Sequence, residues 1–431
     1  MATTAASARK LKRVGFHWRA TFQHDNVPNW DMWLREIAAL GIGSLFICHD
    51  IGGMRNYDLL TGKLDPNGIP SAAQPGIEGM IRDLLAIGVE PTLRLSSIGG
   101  IRRGGIPFPV LDGLAKAGVK HIQIWNEPND DREWADGRVP EDWAVKSIEW
   151  ALPACSHGLE IGLEMALPPI NPGIDVNPFR IAVDLDAGKL FERGLAVNIH
   201  LYPFNRFIWK GKPYPYDDVN QHGEQLTAAE YDALDRWYWH GYPREYINKL
   251  RREQARPGCT VMEDANGFLG WLAHEHQMKQ VLGPAAAVPC RITEMGPRPW
   301  QDLDKRYPRL TPDEHARQVA LICRWLEGEA DIGGYQRPDW IKAGYFWIMG
   351  GKVLGDYSQV FEADVFYGDW NMDRRDPRYN YPQTPIGHMP AVDAIKALAN
   401  EPAVDTLRSR LLAHLGAARG HLQAAKELAS A

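Results

Sequence analysis

Short β-branched or apolar runs alternate with longer amphipathic segments along the whole chain, and this rhythm repeats eight times. Such alternation builds βα units around a parallel sheet, because parallel strands need crossover helices to cover their faces. Strands are expected at 14–19, 44–49, 91–96, 121–125, 161–167, 196–202, 288–293 and 343–349. Helices are expected at 29–40, 77–87, 110–117, 140–152, 181–191 and 391–398. Thr227 and Glu230 form a capping box that opens a helical insertion after the sixth strand. Thr311, Pro312 and Glu314 start the helix after the seventh.

Eight strands and eight helices are the count of a (β/α)₈ TIM barrel, an α/β fold. An open doubly wound sheet is the competitor, and it normally carries a Gly-rich phosphate turn after its first strand. Here that strand instead runs into His17, Trp18 and Arg19. The expected organisation is a barrel over residues 1–400, with long loops after strands six and eight, and a C-terminal helix over 401–431. Leu407, Leu411, Leu415 and Leu422 mark that last helix.

Composition narrows the function classes. The 431 residues are 45% hydrophobic and 24% charged, which is globular usage and excludes disordered or fibrous chains. Against 54 acidic residues stand 48 Lys and Arg, for a net charge of −6, and no basic run points to nucleic acid. No apolar stretch reaches the length of a membrane span. The first 15 residues lack the apolar centre of a secretory signal, so a cytoplasmic protein is expected, although a processed secreted form would read the same. Cys48, Cys155, Cys259, Cys290 and Cys323 form no CxxC pair and are expected as buried free thiols.

A barrel of this kind carries its active site at the carboxyl ends of its strands. The fourth strand ends in Trp125-Asn126-Glu127-Pro128, the seventh in Thr293-Glu294-Met295-Gly296. Strict alternation puts Gln123, Trp125 and Glu127 on one face, and Ile292 and Glu294 on one face of the other strand. Two carboxylates then point into one opening, which is what glycosidic-bond cleavage needs: one acid for the leaving oxygen and one carboxylate for the oxocarbenium-like carbon. Arg94, in phase with Thr92 and Ser96 on the third strand, is placed to pair with Glu294. His17 and His49, after the first two strands, are further polar candidates for substrate binding.

The Asn-Glu-Pro run closing strand four and the Glu closing strand seven resemble the clan A retaining glycoside hydrolases, which include endoglucanases, β-mannanases and β-xylosidases. The resemblance implies Glu127 as general acid/base, Glu294 as nucleophile and Asn126 as the partner of the sugar 2-hydroxyl. It also implies that His200 and Tyr202 on strand six hold the two glutamates, and that Trp347 on strand eight is the aromatic floor beneath the sugar. The partner is then a carbohydrate, and neither metal nor organic cofactor is required.

Aromatic side chains crowd the loops 204–216 and 356–381, including Phe366 and Tyr367, and are expected to form sugar subsites. Glu164 is expected to be structural, and His274-Glu275-His276 a solvated helix surface rather than a zinc site. Other readings stay open at this stage. A carbohydrate-binding barrel without turnover and a transglycosidase share these features, and a metal-dependent barrel would draw on His17, His49, Asp50 and His200. Nothing in the sequence specifies an oligomeric state.

Overall fold

A computed structural model describes residues 9–18, 30–50, 77–96, 100–101, 106–130, 133–134, 137–170, 176–201, 208–209, 212–213, 271–296, 312–332, 335–349, 366–367 and 388–401. Eight parallel strands close into a barrel: β1 (Leu11–His17), β2 (Ile42–Asp50), β3 (Glu90–Ser96), β4 (His121–Ile124), β5 (Glu164–Ile170), β6 (Ala196–Leu201), β7 (Cys290–Met295) and β8 (Ile341–Phe346). They follow in sequence order, and β8 pairs with β1 through Val14 and Gly344. The closed ring excludes the open doubly wound sheet. Helices such as Trp30–Leu40, Ile77–Ala86, Phe108–Lys116 and Pro312–Glu327 join consecutive strands, each amphipathic with an apolar face on the barrel.

Several element boundaries differ from the sequence reading. The fourth helix spans Trp143–Glu160 and passes through Pro153, where an end was expected. Proline removes one backbone donor there. Burial of Ile148, Ala151, Ala154, Cys155 and Gly158 along the same helix outweighs that loss. Gly158 sits so close to β5 that a Cβ would lie 2.3 Å from the Met165 sulfur. The longer helix pushes its turn to Gly162, at φ +87°, so β5 starts at Glu164 rather than 161. The segment expected as one helix over 181–191 is two, Pro178–Asp184 and Gly188–Glu192, the first capped by the Asn177 side chain. The capping box at 227–230 and the C-terminal helix lie outside the described residues.

The apolar residues fall into two clusters. A large outer one joins strands to helices; a small inner one holds Phe46, Cys48, Ala343 and Tyr345. Side chains on non-neighbouring strands meet only across the lumen, and many of those that do are polar. Thr92 and Tyr345 hydroxyls lie 2.7 Å apart, and Asn198 donates to Gln123 at 2.9 Å. Four cysteines, Cys48, Cys155, Cys290 and Cys323, are buried free thiols as expected, while Cys259 lies outside the described residues. His274 corrects an expectation: it is buried against Phe179 and Trp340, with its pKa pushed down to about 3 by burial, while Glu275 is half-buried and His276 exposed.

The amino-terminal mouth of the barrel is lined by ionisable side chains in contact with one another. His121 contacts Glu90 at 3.0 Å and Glu164 at 2.8 Å, and Arg291 reaches Glu164 at 3.0 Å. Burial alone would raise the Glu164 pKa, but His121 and Arg291 outweigh it and hold it at about 2. Glu164 is thus structural, at the end of the barrel away from Glu127 and Glu294. A carboxyl depressed in the folded state stabilises fully above its ordinary pKa of 4.5 and loses that contribution as pH falls toward 2. Glu164→Gln should therefore cost about 0.5–1 kcal/mol at pH 7, the scale of a half-exposed ion pair. Thermal melts of parent and variant should converge as pH is lowered through that window.

Candidate active site

Two local departures from regular strand geometry bring the glutamates together. The first is at the end of β4. Trp125 has φ +55°, a left-handed conformation rare for a residue with a Cβ. Its N–H donates to Leu95 O and its carbonyl accepts from Gln123 Nε2, both at 2.9 Å, and these bonds hold it there. Alternation would have sent Asn126 and Glu127 to opposite faces. With the chain turned at Trp125, both join the same cluster: Asn126 Oδ1 accepts from Arg94 Nη1 at 2.7 Å, and Glu127 Oε1 lies 2.6 Å from His200 Nδ1. Trp125 itself packs into the outer apolar cluster, so it does not share a face with Gln123 and Glu127.

The second departure is a β-bulge in β7. Ile199 and His200, adjacent on β6, pair with Ile292 and Glu294. On the other side, Gly344 and Phe346 pair with Ile292 and Met295. Both neighbours thus find one extra residue in β7 after Ile292, the signature of a bulge that re-aims a side chain. Arg291 faces the lumen at one end and Glu294 at the other, three positions apart, while Ile292 joins the outer cluster. The expected common face of Ile292 and Glu294 is therefore corrected. Gly296, at φ +125°, turns the chain immediately beyond.

Arg94 lies at the centre of the site. Its Nη1 donates to Glu294 Oε1 at 2.9 Å as well as to Asn126, and both ionic side chains are buried. Burial works against the cation, but Cys48, Glu294, Glu133 and Glu127 outweigh it and raise its pKa. His200 is fully enclosed between the glutamates, with Nδ1 2.6 Å from Glu127 and 3.6 Å from Glu294 Oε2. Burial lowers its pKa, yet Glu294 and Glu127 together lift it above the ordinary 6.5.

Trp347 is buried beside the site, its ring centroid 4.3 Å from that of His17, and the Trp347–Ile348 peptide is cis. His17 is buried, with Nε2 3.3 Å from Cys48 Sγ; burial, then Arg94 and His200, push its pKa well down, so it is a neutral ring. His49 is buried at the end of β2. Tyr202 lies outside the described residues, as does most of the two aromatic loops. Phe366 and Tyr367 correct the subsite expectation: Phe366 packs edge-on to Phe16, and Tyr367 reaches Trp33 and Glu36. Both rings are core.

Sequence reasoning passed over Glu133. It belongs to the loop after β4, neither at a strand end nor within a recognised motif, yet its Oε1 accepts from Asn126 Nδ2 at 3.0 Å. Its pKa is raised, first by burial and then by Glu127 and Asp130, against the lowering effects of Arg94 and Asn126. Among the described residues, Glu127, His200 and Glu294 also each offer one atom within 4.8 Å of the others, close enough to hold a metal ion. The donor set fits a proton better than a cation. A histidine with raised pKa, already 2.6 Å from a carboxylate, is a hydrogen-bond donor, and Glu294 already faces Arg94.

No protein-family model and no curated protein matches the chain. Among solved structures it is similar to a glucosidase from Croceicoccus marinus, with 11% identity over 92% of this chain and 67% of that one and a TM-score of 0.43. It is similar to the endo-β-1,4-mannanase from Thermotoga petrophila, with 12% identity over 91% and 76% and a TM-score of 0.39. An endo-β-1,3-glucanase from Amycolatopsis mediterranei, crystallised with laminarihexaose, matches at 11% identity over 90% and 99% with a TM-score of 0.37.

Removing one member of a buried ion pair leaves the other charge uncompensated. Arg94→Met should destabilise the fold by about 3–5 kcal/mol in denaturant unfolding. Adding Glu294→Gln to that variant should recover part of the loss, as a favourable coupling in the double-mutant cycle.

Proposed function

We propose that the chain is a retaining glycoside hydrolase acting on β-glycosidic bonds, with Glu294 as nucleophile and Glu127 as general acid/base. One observation carries the reading: an oxygen of Glu127 and an oxygen of Glu294 lie within 4.8 Å of each other and of His200 Nδ1. Carboxyl groups that invert configuration stand about 6.5–9.5 Å apart to admit a water, whereas a retaining pair stands at about 5–5.5 Å.

The surroundings divide the labour. Arg94 Nη1 donates to Glu294 Oε1 at 2.9 Å, which fixes the carboxylate that is to attack. His200 Nδ1 lies 2.6 Å from Glu127 Oε1 and orients that carboxyl group for proton transfer to the leaving oxygen. Glu294 attacks the anomeric carbon as Glu127 protonates the departing oxygen. Glu127 then removes a proton from water, which attacks the same carbon and releases the sugar from Glu294. Asn126 is the partner of the 2-hydroxyl, and Trp347 offers an apolar face to the sugar ring. Transfer to a sugar hydroxyl in place of water would use the same residues.

Glu127→Gln and Glu294→Gln should each lower kcat/KM on aryl β-glycosides by about 10²–10⁴-fold or more. NMR of the first-formed product should show the β-anomer. Parent-like turnover by both variants, or inversion, would overturn the reading. Glu294 and Glu127 raise the His200 pKa above the ordinary 6.5, so the cationic ring beside both glutamates is lost, and activity should fall, as pH rises beyond that value. Activity should survive exhaustive chelation.

A further inference from the structure

We infer that Glu133 is a positioning residue of this site: it fixes the Asn126 amide in the one orientation that serves both Arg94 and the sugar 2-hydroxyl. The inference rests on the glycoside hydrolase reading and deepens it.

Asn126 has one acceptor and two donors at its tip. Arg94 is purely a donor, so Oδ1 must face it, and the 2.7 Å contact satisfies that demand. Nδ2 then points the other way, where Glu133 Oε1 receives one of its hydrogens at 3.0 Å. Turning the amide over would set a donor against Arg94 and an acceptor against the Glu133 carboxyl. The two partners therefore select a single orientation, and the second Nδ2 hydrogen is left in a fixed direction.

Glu133 is itself well anchored. Its carbonyl accepts from Ile101 N at 3.1 Å, and its N–H donates to Asp130 O at 3.2 Å. The next residue, Trp134, is buried and donates through Nε1 to Pro128 O at 2.7 Å, which ties the loop back to the residue after Glu127. The loop thus holds an acceptor at a set distance from the end of β4. Either protonation state of Glu133 retains a carboxyl oxygen that can accept from Asn126.

The 2-hydroxyl contact strengthens in the transition state of this chemistry. A disturbed Asn126 should therefore cost rate only where that hydroxyl is present. The test compares the dinitrophenyl β-glycoside that the parent hydrolyses fastest with its 2-deoxy counterpart. Glu133→Ala should lower kcat/KM by roughly 10–100-fold on the hydroxylated substrate and by less than about threefold on the 2-deoxy one. Glu133→Gln, whose amide oxygen can take the same hydrogen, should restore the parent's preference. Glu133→Asp draws the acceptor back by one methylene and should give an intermediate loss, again confined to the hydroxylated substrate; it serves if the alanine variant melts below assay temperature. Equal losses on both substrates in the alanine and aspartate variants would overturn the inference alone. A parent inactive on every aryl glycoside would overturn the hydrolase reading and this inference with it.

Discussion

A guanidinium buried inside a barrel must be surrounded by anions, and Arg94 imposes that condition on everything near it. Glu294 and Asn126 touch it directly, while Glu127 and Glu133 add their fields from further off. The dependence runs both ways. Two carboxylates within 4.8 Å repel each other when both are ionised, and only positive charge close by makes the arrangement tolerable. Arg94 supplies it on the Glu294 side and His200 on the Glu127 side. The same contacts that balance the buried charge differentiate the two glutamates, one held against a permanent cation and the other against a group that exchanges protons.

Polarity inside the barrel is layered. At the amino-terminal mouth, Glu90, His121, Glu164 and Arg291 form an ion cluster. In the middle, Gln123 and Asn198 bond to each other, and Asn198 Oδ1 accepts from the Arg291 backbone N–H. At the carboxyl end stands the Arg94 cluster. The middle layer therefore links the ion cluster to the Arg94 cluster, with Gln123 bonded at its other end to the Trp125 carbonyl. Buried polar groups that satisfy one another in this way specify a register as well as a stability. The geometry at the end of β4 is held from below by the same network that crosses the lumen.

Much of this was legible in the chain before folding. Eight alternations implied a barrel, carboxyl-end placement singled out Glu127, Glu294 and Arg94, and the family resemblance added Asn126 and His200; all five meet in one cluster. Two errors fall where strands stop being regular. The face assignments for Trp125 and Ile292 assumed a period of two, which a positive φ and a bulge each interrupt. Pro153 read as a helix end because its missing donor is a local fact, whereas the burial that carries the helix past it is not. Phe366 and Tyr367 read as sugar platforms because an aromatic ring looks alike in sequence whether it meets a ligand or Phe16 and Trp33.

Residue types and their rhythm decide which elements form and which chemistry is present, because propensity, periodicity and ionisable groups are properties of short segments. That information was sufficient for the fold and for the pair of acids. Distances between residues far apart in the chain, the bulge that turns Glu294 inward, and the recruitment of Glu133 to Asn126 are properties of the closed barrel. They follow from register between strands and from the need to compensate a buried cation, and neither exists until the ring has closed.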